Sequence, residues 1–157
     1  MTDPIIDAAH RATSEAFDTL RRVVDGLSAE ALNWRPAGDE TNSIAVLTTH
    51  AMHATRLLLH IATGQPHQDL RNRPAEFAAT VDGPGPLLQL IDDLGADCIA
   101  ALDDAGRVEW DEMRQRKRSN GEIVETSAAY ALIQAVVHLR GHTDEASLTR
   151  HMWRARS

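Results

Sequence analysis

Apolar side chains recur every three to four residues along four stretches of the chain, which is the spacing of one buried face of an α-helix. Helix-capping residues, prolines and glycines stand at the ends of these stretches. The stretches run from Asp3-Pro4 toward Gly26, from Asn42 or Ser43 to Gly64, from after Pro86 to about Asp104 or Gly106, and from Thr126 or Ser127 to about Trp153. This pattern predicts an all-α fold, a four-helix bundle that forms a single domain over residues 1–157.

The connections between these helices are short or irregular. Ser28 begins at most one helical turn, and the proline-rich stretch 66–86 has room for one short helix near Ala75 to Thr80. Residues 107–125 are expected to be irregular or short strand, with Ser119-Asn-Gly121 as a turn.

The charge of the chain disfavours nucleic acid as a partner. Asp and Glu number 23 against 16 Lys and Arg, which gives a formal charge of −7 at pH 7. Binding to phosphates needs clustered cations, and the one basic run, residues 114–118, lies between carboxylates and an Asn-Gly turn. We therefore expect no nucleic-acid partner.

Cysteine content and the start of the chain predict a cytoplasmic location. Cys98 is the sole cysteine, so no internal disulfide can form and a reducing compartment is expected. The first residues lack the basic and apolar regions of a secretion signal, and no apolar run is long enough to cross a membrane. A single Lys among the 16 basic residues is typical of a GC-rich bacterial genome.

His50 lies on the apolar face of the second predicted helix. On a helical wheel it shares that face with Val46, Leu47 and Leu58. A buried imidazole needs partners for its nitrogens, so His50 either hydrogen-bonds a carbonyl or carboxylate in the core or binds a ligand. His53, about 60° away on the wheel, is the reserve candidate.

His138 and His142 are one turn apart on the last helix and share one face. The small side chains of Ala135 and Gly141 on that face leave space beside the two imidazoles. The pair is either part of a solvated polar face or two ligands of one metal ion. Together with His50 it would form a three-imidazole site with open positions, which suits zinc, nickel, iron or copper.

Glu145 follows one turn after His142 and is the candidate catalytic residue. Its carboxylate is expected to act as a general base or to orient an imidazole, and the alternative is a solvated side chain without a role.

Four motifs stand out along the chain: Leu32-Asn-Trp34-Arg-Pro36, Asn42-Ser43-Ile44 followed by His50, His138-x-x-x-His142, and Leu148-Thr-Arg150-x-x-Trp153. Together they resemble the DinB/YfiT-like family over essentially the whole chain. The resemblance implies a four-helix bundle that holds a divalent metal through His50, His138 and His142. Zinc is the leading candidate for that metal, and nickel and iron are the alternatives.

The same resemblance implies a function. Characterised members of the family are similar to thiol-dependent transferases or isomerases that use mycothiol or bacillithiol, and some members associate as dimers. We therefore expect a metal-dependent thiol S-transferase that joins a low-molecular-weight thiol of the mycothiol type to a small electrophile, and a homodimer is an open alternative to a monomer.

One pair of residues departs from the family pattern. Asp144-Glu145 follows the histidine pair, and two carboxylates there would repel an anionic thiolate. Two rival functions therefore remain: a non-catalytic metal-binding or stress-associated dimer, and a metal-dependent hydrolase with Glu145 as its base.

Overall fold

Within residues 3–68, 70–118 and 120–156, which the computed structural model describes, the chain forms six α-helices and one two-stranded sheet. In chain order the elements are α1 (Pro4–Val24), α2 (Ala29–Asn33), α3 (Ile44–Thr63), α4 (Arg73–Phe77), α5 (Gly85–Asp103), β1 (Met113–Lys117), β2 (Ile123–Ser127) and α6 (Ala128–Arg154). The four long helices predicted from the apolar pattern are confirmed as α1, α3, α5 and α6. The fold is mostly helical, as predicted.

Local signals set the ends of the two helices that carry the candidate ligands. The side-chain oxygens of Ser43 and Ser127 accept hydrogen bonds from the backbone N–H groups of Val46 and Tyr130, and so begin α3 and α6. Gly64 ends α3 in the left-handed conformation, with φ of 74°. Both helices therefore begin and end where the sequence predicts.

The four long helices pack around a shared core. α3 contacts both α5 and α6, and α1 contacts the same two helices from the other side. Gly95 on α5 faces the ring of Phe17 on α1, and a Cβ at this glycine would lie 3.5 Å from that ring. Aliphatic side chains fill the core, among them Leu20, Ile44, Leu47, Leu59, Ile61, Ile91 and Leu139.

Two of the motifs identified in the sequence, the one with Trp34 and the one with Arg150 and Trp153, hold α6 against the rest of the chain. The Arg150 guanidinium donates hydrogen bonds to three backbone carbonyls at the C-terminal end of α1, where the helix leaves its last carbonyls unpaired. The rings of Trp34 and Trp153 pack edge to face with their centroids 5.6 Å apart. Both motifs therefore stabilise the packing of α6 against the rest of the bundle.

A β-hairpin is present in the region for which the sequence predicts either irregular chain or a short strand. β1 and β2 pair antiparallel, with Arg116 opposite Val124. Gly121 has φ of 86° in the turn, and its N–H donates to the Arg118 carbonyl at 2.9 Å. Ser119 of the predicted turn lies outside the described residues.

The short helix predicted near Ala75 to Thr80 is present but begins earlier. α4 starts at Arg73 because the Asn72 side chain caps the Ala75 N–H at 3.2 Å and Pro74 occupies the first turn. Glu76 and Phe77 lie on α4 in the predicted and the observed helix, and both contact His50 of α3.

Candidate metal centre

Two helices bring the three predicted histidines together. His50 projects from α3, and His138 and His142 project from adjacent turns of α6. His138 Nε2 lies 3.1 Å from His50 Nε2 and 3.2 Å from His142 Nε2. One ligand atom from each residue lies within 4.8 Å of the other two.

The spacing of these nitrogens fits a single tetrahedral ion. Ligands about 2.05 Å from a tetrahedral zinc ion are separated from one another by roughly 3.3 Å. The two measured Nε2–Nε2 distances, 3.1 and 3.2 Å, are close to that value. Two of the three separations therefore match a shared ion, and the third pair of ligand atoms lies within 4.8 Å.

The protons of the cluster lead to the same conclusion. Nδ1 of His50 and Nδ1 of His142 each lie against a glutamate oxygen, and a carboxylate only accepts, so a neutral ring at either position would carry its proton on Nδ1. Their Nε2 atoms then present lone pairs to the centre. Only His138 can place a proton there, and one proton cannot fully satisfy three converging nitrogens. A cation can satisfy all of them.

The outer nitrogen of His50 belongs to a buried ionic network. His50 Nδ1 donates to Glu76 Oε2 at 2.9 Å, and both side chains are almost inaccessible to solvent. Arg71 holds the same carboxylate with two bonds, from Nε to Oε1 at 2.9 Å and from Nη2 to Oε2 at 2.6 Å. A carboxylate that fixes the tautomer and orientation of a ligating histidine is a recurring feature of metal sites.

The charge state of Glu76 follows from this network. Burial alone raises the pKa of this carboxyl, but the hydrogen bonds from Arg71 and His50 outweigh burial and hold the pKa at about 2. Glu76 is therefore an anion at neutral pH. It contacts Nδ1 of His50, and its negative charge would offset the positive charge of an ion bound at Nε2 of the same ring.

The outer nitrogens of the α6 pair differ from that of His50. His142 Nδ1 lies 3.2 Å from Glu145 Oε2, and this glutamate is about half exposed, with a side-chain accessibility of 46%. His138 Nδ1 is buried and has no hydrogen-bond partner among the described residues. The candidate centre is thus firmly held on the α3 side and loosely held on the α6 side.

Both α6 histidines are poised to bind as neutral bases. Burial, followed by the charges of His142 and His50, lowers the pKa of His138 to about 4. Burial also lowers the pKa of His142, against the opposing effect of its bond to Glu145. A neutral imidazole is the form that ligates a metal.

The remaining predicted residues take different places. His53 stays outside the cluster, where burial lowers its pKa and its Nδ1 has no hydrogen-bond partner among the described residues. Asp144 is exposed, and Glu145 contacts the nitrogen of His142 that points away from the cluster. Whether Glu145 is catalytic remains a prediction.

Sequence reasoning missed Glu76 and Arg71. Both lie in or beside the proline-rich connection, and their contacts with α3 arise only from the path of that connection. One local signal was present: Asn72-Arg73-Pro74 is a helix start that places Glu76 in the first turn of α4.

Comparison with known proteins identifies the family of the chain. The sequence matches the model of the DinB superfamily over residues 12–146, so the chain belongs to this superfamily. No curated protein matches the sequence. The family and the histidine cluster together fit a metal-binding protein.

None of the helices in the described part of the chain combines the length and the apolar character needed to cross a bilayer.

Proposed function

We propose that this chain is a DinB-type four-helix bundle, one domain in extent, that binds a divalent transition metal through His50, His138 and His142. Zinc is the first candidate because a mixed or all-imidazole set of three ligands is common in its catalytic sites. The observation that carries the proposal is that the Nε2 atom of His138 lies 3.1 Å from that of His50 and 3.2 Å from that of His142. Glu76 supports it by fixing the tautomer of His50.

The proposed activity is the transfer of a low-molecular-weight thiol of the mycothiol type to a small electrophile. When bound, a divalent ion supplies a Lewis acid that favours the deprotonated, nucleophilic form of a thiol at neutral pH. In the transfer a sulfur–carbon bond forms, the leaving group departs with its bonding electrons, and the thiol proton goes to solvent. Three protein ligands leave a fourth position open to a small molecule.

The chain's own residues have separate tasks in this scheme. The imidazoles of His138 and His142 stay neutral near pH 7, because burial lowers the pKa of each. Glu76 and Arg71 keep His50 in one orientation. We assign Glu145 to positioning His142, since its carboxylate contacts the outer nitrogen of that ring.

The experiment that tests this function compares zinc-loaded and metal-free protein, purified without a histidine tag, with a panel of thiols and halogenated electrophiles. Conjugation that requires both the metal and the thiol supports the transferase. The matched pair of variants is His138→Ala and His53→Ala, one inside and one outside the cluster. We expect the first to abolish conjugation and the second to leave most of it.

Other outcomes of the same experiment contradict the transferase. Metal uptake without conjugation of any electrophile would indicate a non-catalytic metal-binding protein. Hydrolysis of esters or amides at a rate independent of thiol would indicate the hydrolase. In that case Glu145→Gln should abolish the reaction, whereas a positioning role predicts only a partial loss.

The homodimer, which the sequence leaves open as an alternative to a monomer, stays a prediction. α6 leaves the apolar side chains of Ile133, Val137 and Leu148 exposed. Size-exclusion chromatography with light scattering measures whether one or two chains are present.

A further inference from the structure

A cavity of about 840 Å³ opens between β1, the chain segment that precedes α4, and α3. His67 fastens that segment to the hairpin by donating from Nε2 to the Gln115 carbonyl at 2.9 Å. Leu57 of α3 and Leu70 contribute apolar walls. Such a volume matches a small molecule rather than an extended polymer.

The cavity concentrates positive charge in an acidic protein. The chain has 16 Lys and Arg in total, and no carboxylate stands among the described residues that line the cavity. The cationic residues that line it are Arg71, Arg73, Arg116, Lys117 and Arg118. A concave surface of one charge focuses the field and attracts the opposite charge.

Arg116 is the lining residue whose environment most favours a bound anion. Strand alternation turns Arg114 and Arg116 toward the body of the protein, and both are partly buried. The Nε atom of Arg116 is buried without a hydrogen-bond partner among the described residues. Burial and then the charges of Arg118 and Arg71 lower the pKa of its guanidinium. An unpaired, partly buried cation is costly unless an anion offsets it.

The neighbouring cations differ in whether they already form ion pairs. Arg71 is bonded to Glu76, and Arg118 forms a half-exposed pair with Glu122 at 3.0 Å. Within the described parts of the chain, no carboxylate pairs with Arg73, Arg116 or Lys117. As far as the described residues go, these three charges are available to a bound anion.

Two side-chain relays join the cavity to the histidine cluster. Arg71 reaches His50 through Glu76, and its own Nη2 lies 3.2 Å from His50 Nδ1. Arg73 lies over the ring of Phe77 at 5.0 Å from the centroid, and Phe77 packs against His50 with centroids 4.6 Å apart. These contacts connect the lining of the cavity to the outer side of His50, where its Nδ1 atom lies.

We propose that this cavity binds the oxyanion group, carboxylate or phosphate, of the small molecule on which the metal centre acts, and that Arg116 and Arg73 are the residues that bind it. The cavity's assignment to a substrate rests on the proposed function above, whereas its affinity for oxyanions does not. The cavity therefore specifies an anionic substrate class.

The test is calorimetric titration of the full chain with two probes, succinate and inorganic phosphate, at constant ionic strength set with chloride. Both titrations are repeated with zinc-loaded protein. Saturable binding of succinate alone assigns the site to carboxylates, and binding of phosphate alone assigns it to phosphates. Either result supports the site.

Variants assign the binding to this cavity. Arg116→Gln should weaken the binding of the preferred probe about tenfold or more, the loss expected for a charge-assisted hydrogen bond. The matched control is Arg11→Gln, at an exposed arginine of α1 that pairs with Glu15, and it should bind as the wild type does. If Arg116→Gln does not fold, Arg73→Gln replaces it with the same expectation.

Three results would overturn the proposal: no saturable binding of either probe, wild-type affinity in the cavity variants, or preferential binding of a single-stranded oligonucleotide. A zinc titration of the same samples keeps the two proposals apart. Normal zinc uptake with no oxyanion binding refutes the cavity site alone. Oxyanion binding with no zinc uptake refutes the metal centre and leaves the anion site standing.

Discussion

Two histidines of the candidate centre have the same outer contact in different surroundings. His50 and His142 each place Nδ1 against a glutamate Oε2, at 2.9 and 3.2 Å. Glu76, the partner of His50, has a side-chain accessibility of 3% and is clamped by Arg71. Glu145, the partner of His142, is 46% exposed and has no comparable clamp among the described residues.

Surroundings decide what each contact is worth. A buried carboxylate bonded to a guanidinium and an imidazole is costly to disturb, because any member left alone is an unpaired charge away from water. An exposed pair is screened by water and salt and contributes between zero and about 1 kcal/mol. The centre thus has a fixed ligand on α3 and an adjustable one on α6.

Replacing the buried glutamate should have the largest effect. Glu76→Gln keeps the size of the side chain but leaves Arg71 without its counter-charge, so we expect the free energy of unfolding of the metal-free protein to fall by about 3 kcal/mol. Urea denaturation measures this loss. Zinc affinity should also fall, by roughly 10- to 100-fold, as His50 loses its fixed orientation.

The same substitution at the exposed glutamate is the matched control. Glu145→Gln should change the free energy of unfolding by less than about 1 kcal/mol. Equal losses of stability in the two variants would contradict the contrast between the buried and exposed contacts.

A smaller effect concerns salt. Zinc affinity of the wild type includes the orientation of His142 by Glu145, an exposed contact that salt screens. We expect Glu145→Gln to weaken zinc binding a few-fold at low ionic strength, and the difference from wild type to shrink in 1 M salt, where the Debye length is about 3 Å. The loss of zinc affinity in Glu76→Gln should be as large in 1 M salt as at low ionic strength, because this contact is buried. A loss that disappears in 1 M salt would contradict the contrast between the two glutamates.

The contrast also explains what could be predicted from the sequence. His50, His138 and His142 were found because helix periodicity places them on particular faces, and because caps such as Ser43 and Ser127 fix where the helices begin. Glu145 was found because it is one turn from His142 on the same helix.

Glu76 and Arg71 could not be found in that way. Their contacts with His50 span 26 and 21 positions of sequence and depend on how the proline-rich connection returns to α3. Tertiary contacts of this kind leave no periodic signal. The basic cavity was missed for the same reason. The basic run 114–118 is visible in the sequence, but only its position on β1 and the alternation of side chains along that strand show that Arg116 points inward.

The central claim is that three imidazoles, from His50, His138 and His142, hold one metal ion. X-ray absorption spectroscopy of the protein loaded with one equivalent of zinc measures the ligands most directly. We predict three imidazole nitrogens at about 2.0–2.1 Å and a fourth ligand that is oxygen or nitrogen from a molecule other than imidazole. Fewer than three imidazole ligands would contradict the claim.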